Sequence, residues 1–568
     1  MKTQTVVAYP RRGRKVRPKL RARGQSASET RPRRHSQVGW YLLLAIIVLS
    51  FALIRFRLRD IPLERDEGEY AYAGQLLLQG IPPYKLAYNM KLPGTYLAYA
   101  VIMAVFGQTP SGIRIGLLLA SAASTVLVFF VTKRVFDQIA ATVAAASYAL
   151  LATSPAVLGF AGHATHFVVL AALGGMLLLL RATNDDRSMT LLSSGVLFGL
   201  AFLMKQPGIF FPIFAGLYLL VRALNRNIGP KRALKSLAIF ACGAATPFAL
   251  LCLWLFRAGV FHRFWFWTFT YARLYGSMVS WRDVPGVFWT AFSSVVAAAP
   301  LIWLSAAAGL VLLLCSRRSV DTLFPVGFLL FSFFAVCPGF YFREHYFILL
   351  IPSVALLVGA CVSLATQLLR DRSGLRSFRA VPILVFLLAF GLAISHDWAF
   401  LFDMDPIAAC RSVYGANPFP EAIQVAQYLK ANTPAGASIA VIGSEPEIYF
   451  YAQRHSATGY IYTYPLMEDQ SYAQFMQEDM ISEIEHARPE FVVFVNVTAS
   501  WIRGPKSPSL IFDWAAKYLT SQYELNGIVD ILDESRYVWG DPAKAYDPVS
   551  PYRIQVFRRL PNAPASKQ

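Results

Sequence analysis

Charge is what this chain of 568 residues has least of. Asp, Glu, Lys and Arg make up 15% of it, where an ordinary soluble domain carries about 25%. Together with 56% hydrophobic residues and a mean hydropathy of +0.45, that scarcity excludes a single soluble globule and indicates a polytopic membrane protein. Cysteine is also sparse. The six, Cys242, Cys252, Cys315, Cys337, Cys361 and Cys410, are scattered, five of them in hydrophobic runs, which excludes a disulfide framework and a CxxC metal pair. There is no internal repeat of the kind that many transporters carry.

The charge that is present is unevenly spread. Formal net charge is +20, and residues 1–40 hold twelve Lys or Arg against one acid, Glu29. This head is rich in Arg, Pro and Ser and lacks hydrophobic periodicity, so residues 1–38 read as a disordered basic cytoplasmic tail. Positive charge before a first span sets orientation and attracts anionic lipid, a better account than a nucleic-acid arm. No small-residue cleavage site precedes a folded domain, so a cleavable signal peptide is not expected.

Runs free of Asp, Glu, Lys and Arg mark the spans, each needing about 20 apolar residues. They cover residues 36–54, 115–132, 138–180, 188–204, 206–221, 236–256, 284–316, 322–342, 345–369 and 380–396. The run 138–180 is long enough for two helices and contains turn formers between Thr153 and Gly162, giving about eleven spans. With the N-terminus inside, Lys133–Arg134, Arg181 and Arg187, Arg222 to Lys235, Arg317–Arg318 and Arg370 to Arg379 all fall on the cytoplasmic side. The C-terminus is then outside. Residues 93–107 and the aromatic-rich 261–296 read as interfacial segments on the outer face.

The expected fold class is therefore a polytopic α-helical membrane protein with a small α/β extracytoplasmic domain. Residues 39–398 form the membrane domain, with a first outer loop over 59–110, and residues 399–568 form the outer domain. There, Pro420–Lys430 reads as a helix, Ser438–Gly443 and Glu490–Asn496 as strands, PEIYFYA and the stretch around Ile511–Leu519 as helices. No GxGxxG follows the first strand, so a dinucleotide is not indicated.

The first outer loop gathers Glu64, Arg65, Asp66, Glu67 and Glu69 at the start of a helix expected to stop at Gly80. Acids in a first helical turn suit the helix dipole, but a charge cluster at a bilayer edge is equally a functional-site signal. Asp66, ionised at neutral pH, can accept a proton from an attacking hydroxyl. Glu64 and Glu69 read as helix-end and solvent-facing charges. In the same topology Lys91, Lys205 with Gln206, and Arg343 with His345 lie at outer helix ends, where cations suit a phosphate or merely snorkel to headgroups. His163 and His166 are spaced to share a helix face, and their imidazoles suit either a hydrogen-bonding role or a divalent metal.

DEGEYAYAGQLLLQGIPPY with KLPGTYLAYA resembles the first outer loop of the protein O-mannosyltransferase and aminoarabinose transferase superfamily, integral-membrane glycosyltransferases of the C-type fold. FGLAFLMKQPGIFF, YFREHYFILLIPSVALL and PAGASIAVIGSEPEIYFYA are similar to further parts of it. The resemblance implies transfer of a sugar from a polyprenyl-phosphate carrier to a glycan, lipid or protein acceptor at the outer face of the cytoplasmic membrane, with inversion. It implies Asp66 as base with Glu67 beside it, and donor-phosphate contacts from Lys91, Lys205 and Arg343. His345, next to Arg343, is placed with these, and Tyr70, Tyr84 and Gln206 are the candidates for lining the sugar pocket. In the second outer loop, where many relatives carry an acid, this chain has His166, which leaves metal dependence open. No nucleic acid is expected as a partner. The competing readings are a transporter or flippase of an anionic lipid or glycan, and a sensor whose outer domain binds a ligand.

Overall fold

The computed structural model of the chain describes residues 1–5, 34–185, 187–316 and 322–561. Most of the basic head and the Arg317–Arg318 pair lie outside the described residues. Helix α1 (Arg34–Arg57) is followed by α2 (Arg65–Leu78) and α3 (Gly94–Phe106) in the first loop. Six helices follow: α4 (Pro110–Val135), α5 (Gln138–Leu151), α6 (Ala164–Asp185), α7 (Ser188–Met204), α8 (Phe210–Asn225) and α9 (Pro230–Arg257). Beyond them come Val284–Ala297, Pro300–Cys315, Leu323–Val336, Ile351–Asp371 and Val381–His396.

Local chemistry sets these boundaries. The Thr109 hydroxyl accepts the Gly112 N–H at 3.0 Å ahead of Pro110, and α4 ends on Lys133 and Arg134, complementing its dipole. Asp137 caps α5 through the Ala140 N–H at 2.9 Å. Among the described residues seven helices are long and apolar enough to cross a membrane, or up to eight with one bent pair. The expected spans coincide with helices, but α5 and Leu323–Val336 have only 14 residues, about 21 Å of helix. The run 284–316, expected as one span, is two helices bent by 106°. Pro300 opens the second of them and cannot donate to the turn before it, while Ala299 leaves helical geometry at φ −150°.

Where α7 meets α9, a Cβ on Gly195 would strike the Phe240 carbonyl and one on Gly243 the Leu192 carbonyl. Glycine lets the two backbones touch, the packing available where lipid removes the hydrophobic drive between helices.

The C-terminal region builds a six-stranded sheet from β1 (Ser438–Ile442), β2 (His455–Ser456), β3 (Phe491–Asn496), β4 (Tyr523–Asp530), β5 (Arg536–Trp539) and β6 (Arg553–Arg559). The strand order is β2-β1-β3-β6-β4-β5. β1 runs parallel to β2 and β3, and the remaining neighbours pair antiparallel. β1 and β3 are the apolar runs read from sequence. The other four strands were not foreseen, because β4 to β6 mix charged with apolar residues and β2 is two residues long.

This domain packs onto the first loop. Leu63, Tyr72 and Leu76 share one buried cluster with Ile439, Val441, Tyr449 and Val493, each large side chain contributing about 1.5–3 kcal/mol by leaving water. Backbone polar groups cross the seam: the Leu63 N–H donates to the Tyr451 hydroxyl at 2.9 Å, and the Ser456 N–H to the Tyr72 hydroxyl at 2.7 Å. The first loop is thereby clamped between the helical bundle and the sheet.

Candidate active site

Helical periodicity distributes the acids of α2 to different neighbours. Glu64 is the N-cap: its carboxylate accepts the N–H groups of Asp66 and Glu67, both at 2.9 Å. Arg65 turns to the C-terminal domain, donating to the Ser444 carbonyl at 2.5 Å and to Glu445 at 3.0 Å. Asp66 faces a cavity of about 450 Å³. Its Oδ1 accepts from Lys91 Nζ at 2.7 Å and from the Tyr462 hydroxyl at 2.8 Å.

Glu67, expected to support Asp66, does not reach that cavity. It is 0% exposed, pairs with Arg114 at 2.6 Å and accepts the Gly162 N–H at 2.5 Å. A Cβ on Gly162 would collide with the Tyr99 hydroxyl, so this glycine lets the second loop close onto the carboxylate. Glu69, expected to face solvent, is also 0% exposed. Lys91 donates to it at 2.6 Å and Asn89 at 2.9 Å, and Tyr96 completes its partners. The reason in both cases is tertiary: Arg114 of α4 and the loop at Gly162 close over Glu67, while the Asn89–Lys91 loop and Tyr96 of α3 close over Glu69.

Lys91 thus lies between two carboxylates, with the Tyr70 ring 4.7 Å from Nζ. Lys205, in the connection after α7, has Nζ 3.4 Å from His345 Nε2 and 4.0 Å from the centre of the Tyr346 ring. Arg343 and Gln206 line the same cavity, Gln206 donating to the Met90 carbonyl at 2.6 Å. Tyr70 lines it too. Tyr84 does not: it is buried with φ +62°, and its hydroxyl donates to the Lys91 carbonyl at 2.7 Å, which holds the lysine loop from behind.

The histidines also sort differently from their sequence spacing. His163 stacks on His345, ring centres 4.1 Å apart and planes at 9°, while His166 is buried and absent from the cavity lining. Asp66, His163 and His345 offer ligand atoms within 4.8 Å of one another. Neither ring nitrogen of His163 has a hydrogen-bond partner among the described residues, and its Nδ1 is 3.8 Å from Asp66 Oδ2. Two imidazole nitrogens and a free carboxylate oxygen suit a divalent ion. His166, expected beside His163 as a candidate metal ligand, is not in this group; the imidazole next to His163 is His345, from far along the chain.

Electrostatics follow from this packing. Burial alone would push the Asp66 carboxyl up, but the Lys91 ammonium outweighs it and holds the group well below the usual carboxylate range. Burial opposes the Lys91 charge too, yet Asp66 and Glu69 raise that ammonium well above its ordinary value. Glu64 is pushed up to about 8 by burial, reinforced by Asp66 and Glu67. Burial lowers His163 to about 3, and Lys205 to about 7 against the pull of Asp66. The cavity therefore holds an Asp66 kept ionised by its contact with Lys91, and a second lysine, Lys205, whose charge is poised near neutral pH.

Sequence reasoning missed the contribution of the C-terminal domain. Tyr462, Tyr464 and Glu468 line the cavity, and Glu468 accepts from the Tyr271 hydroxyl of the aromatic segment after α9. Burial, opposed by Tyr271 and Arg343, pushes Glu468 up to about 7. No local motif marks these residues, since only the fold brings Tyr462 to Asp66.

Residues 91–254 match the family model of dolichyl-phosphate-mannose-protein mannosyltransferases. No curated protein sequence matches the chain significantly. Among solved structures, ArnT from Cupriavidus metallidurans bound to undecaprenyl phosphate superposes with a TM-score of 0.57 at 15% identity, over 94% of this chain and 100% of that one. The archaeal oligosaccharyltransferase AglB from Archaeoglobus fulgidus, in complex with an inhibitory peptide and a dolichol-phosphate, gives 0.50 at 14% identity, over 91% of this chain and 75% of that one. An Archaeoglobus fulgidus oligosaccharyltransferase in complex with zinc and sulfate gives 0.50 at 15%, over 87% and 73%. The chain is thus a multi-pass membrane protein with an ArnT-like fold, in which residues 91–254 are similar to the dolichyl-phosphate-mannose-protein mannosyltransferases.

Proposed function

We propose that this protein transfers a sugar from a polyprenyl-phosphate carrier to an acceptor hydroxyl or amine at the outer face of the cytoplasmic membrane. The observation that carries the reading is an ionised Asp66 sharing one cavity with Lys91, Lys205 and Arg343, in a fold that also holds undecaprenyl phosphate in ArnT. The acceptor is positioned against Asp66, which takes its proton as the nucleophile bonds to the anomeric carbon. The bond from that carbon to the phosphate oxygen breaks, and the electron pair leaves with the lipid phosphate. Lys205 and Arg343 stabilise the charge that develops on the departing oxygen. A single displacement inverts the anomeric centre.

Lys91 acts on the base side of this step, its charge already balanced by Asp66 and Glu69. It keeps Asp66 ionised and fixes its orientation together with Tyr462, so the carboxylate needs no rearrangement as the proton arrives. A divalent ion held by Asp66, His163 and His345 would add positive charge beside the donor phosphate. The zinc in the archaeal oligosaccharyltransferase makes that ion worth testing.

The deciding assay offers the purified protein a labelled polyprenyl-phosphate sugar and an envelope extract, comparing wild type with Asp66→Asn and adding a chelator in a parallel arm. Transfer by wild type alone supports the reading. Equal transfer by both removes Asp66 from the chemistry, and lipid movement across vesicles without transfer favours a flippase. Loss of transfer with chelator, restored by zinc or manganese, assigns the ion.

A further inference from the structure

A second cavity, of about 250 Å³, opens at the end of α6 and α7 remote from the catalytic one. Lys205, just past the C-terminal end of α7, lines the catalytic cavity, while Arg187 and Ser188 at the N-terminal start of α7 line the second. A helix of 17 residues holds the two apart by about 25 Å. Nothing in the catalytic geometry uses this space.

Four consecutive helices end at it: α6 and α8 by their last turns, α7 and α9 by their first. They bring five basic residues to its wall, Arg187, Arg222, Arg226, Arg232 and Lys235, and among the described residues no carboxylate lines it. Leu191, Leu219 and Ile239 form an apolar floor. Arg222, Arg226 and Arg232 each engage a further group, which leaves Arg187 and Lys235 to face a ligand.

The backbone adds to the positive field. Helices α7 and α9 both start at this wall, and neither N-cap residue, Arg187 or Gly229, caps its helix with a side chain. The positive ends of two helix dipoles favour an anion there. Around the mouth Met189, Leu224 and Leu234 are 72%, 67% and 69% exposed, as residues turned toward acyl chains would be.

We propose that this cavity binds the phosphate group of an anionic ligand, at the opposite end of the bundle from the reaction. Arg187 and Lys235 close on the phosphate oxygens, and the apolar floor accommodates the first methylenes when the phosphate belongs to a phospholipid. The chemistry is the same for a membrane phosphatidylglycerol and for a soluble phosphate ester.

The test uses the full chain purified in mild detergent. In one arm, native mass spectrometry follows phosphatidylglycerol retained through delipidation; in the other, calorimetry titrates glycerol phosphate. The variants are Arg187→Gln/Lys235→Gln, and Lys231→Gln as control, which removes a charge about one turn before Lys235 on α9, outside the cavity. Retention at least tenfold lower in the double variant than in the control, with transfer activity unchanged in both, supports a phospholipid site. Glycerol phosphate binding lost only in the double variant, without lipid retention, supports the same site with a soluble ligand. Equal behaviour of double variant and control, or no binding of either ligand by wild type, overturns the proposal in favour of a diffuse basic surface neutralised by its own acids.

Discussion

The Lys91 ammonium sits 2.7 Å from Oδ1 of Asp66, two groups separated by 25 positions and joined across the first loop. With Glu69 at 2.6 Å on its other side, this lysine is balanced before any substrate arrives. The base and the nearest cation are therefore one unit, and Lys205 and Arg343 supply the charge left over for a phosphate.

Replacing Asp66 by Asn keeps an acceptor oxygen for Lys91 and Tyr462 but removes the proton acceptor. Transfer should fall by about 10²-fold or more, as expected for loss of a general base. Thermal melting should move little, since the side chain is 23% exposed. Tyr462→Phe should leave stability intact and lower transfer about tenfold, reflecting one hydrogen bond to a charged group.

Glu67 and Arg114 form an ion pair whose side chains are 0% and 2% exposed. Glu67→Gln leaves a buried guanidinium without its counter-charge and should cost about 3–5 kcal/mol. Chemical denaturation should show much of that loss recovered in Glu67→Gln/Arg114→Met. Unchanged stability in the single variant would return Glu67 to the list of groups free for catalysis.

The Lys205 amine, lowered to about 7 by burial, is ordinarily protonated at 10.5 and below, so it is largely neutral at pH 8 in the empty cavity. An anionic donor favours its ammonium. Donor binding above pH 7 should therefore take up a proton and weaken by up to about tenfold per pH unit. Calorimetry in buffers of different ionisation heat measures that uptake, which Lys205→Met should abolish.

Glu468 titrates near 7 in the fold against 4.5 in the unfolded chain. Between those values the folded state binds more protons, so this group's contribution is intact below pH 4.5 and is lost as pH rises through 7. Glu468→Gln should raise the melting temperature above that of wild type at pH 8, and the gain should vanish at pH 5.

Much of the architecture was legible because a bilayer imposes one strong rule. Backbone in lipid must be helical, so uncharged runs announced helices, and the doubled run 138–180 divided at its turn formers into α5 and α6. The run 284–316 misled, since hydropathy averages over a bend that one proline and one non-helical alanine create.

The site divided in a similar way. Asp66, Lys91, Lys205, Gln206, Arg343 and His345 were named from charge and loop position, Tyr70 as a sugar-pocket candidate, and the fold gathers all seven around one cavity. The sequence by itself determined that a membrane bundle would present acids and cations at its loop ends. Only tertiary structure decided which acid of α2 faces the cavity, because the helix turns Glu67 toward Arg114 and Glu69 toward Lys91 and Asn89, leaving Asp66 open. It also decided that His345 rather than His166 joins His163, and that Tyr462 and Glu468 complete the wall. The physical reason is that pairing across long sequence separations follows from how helices and sheet pack, and no short pattern encodes it.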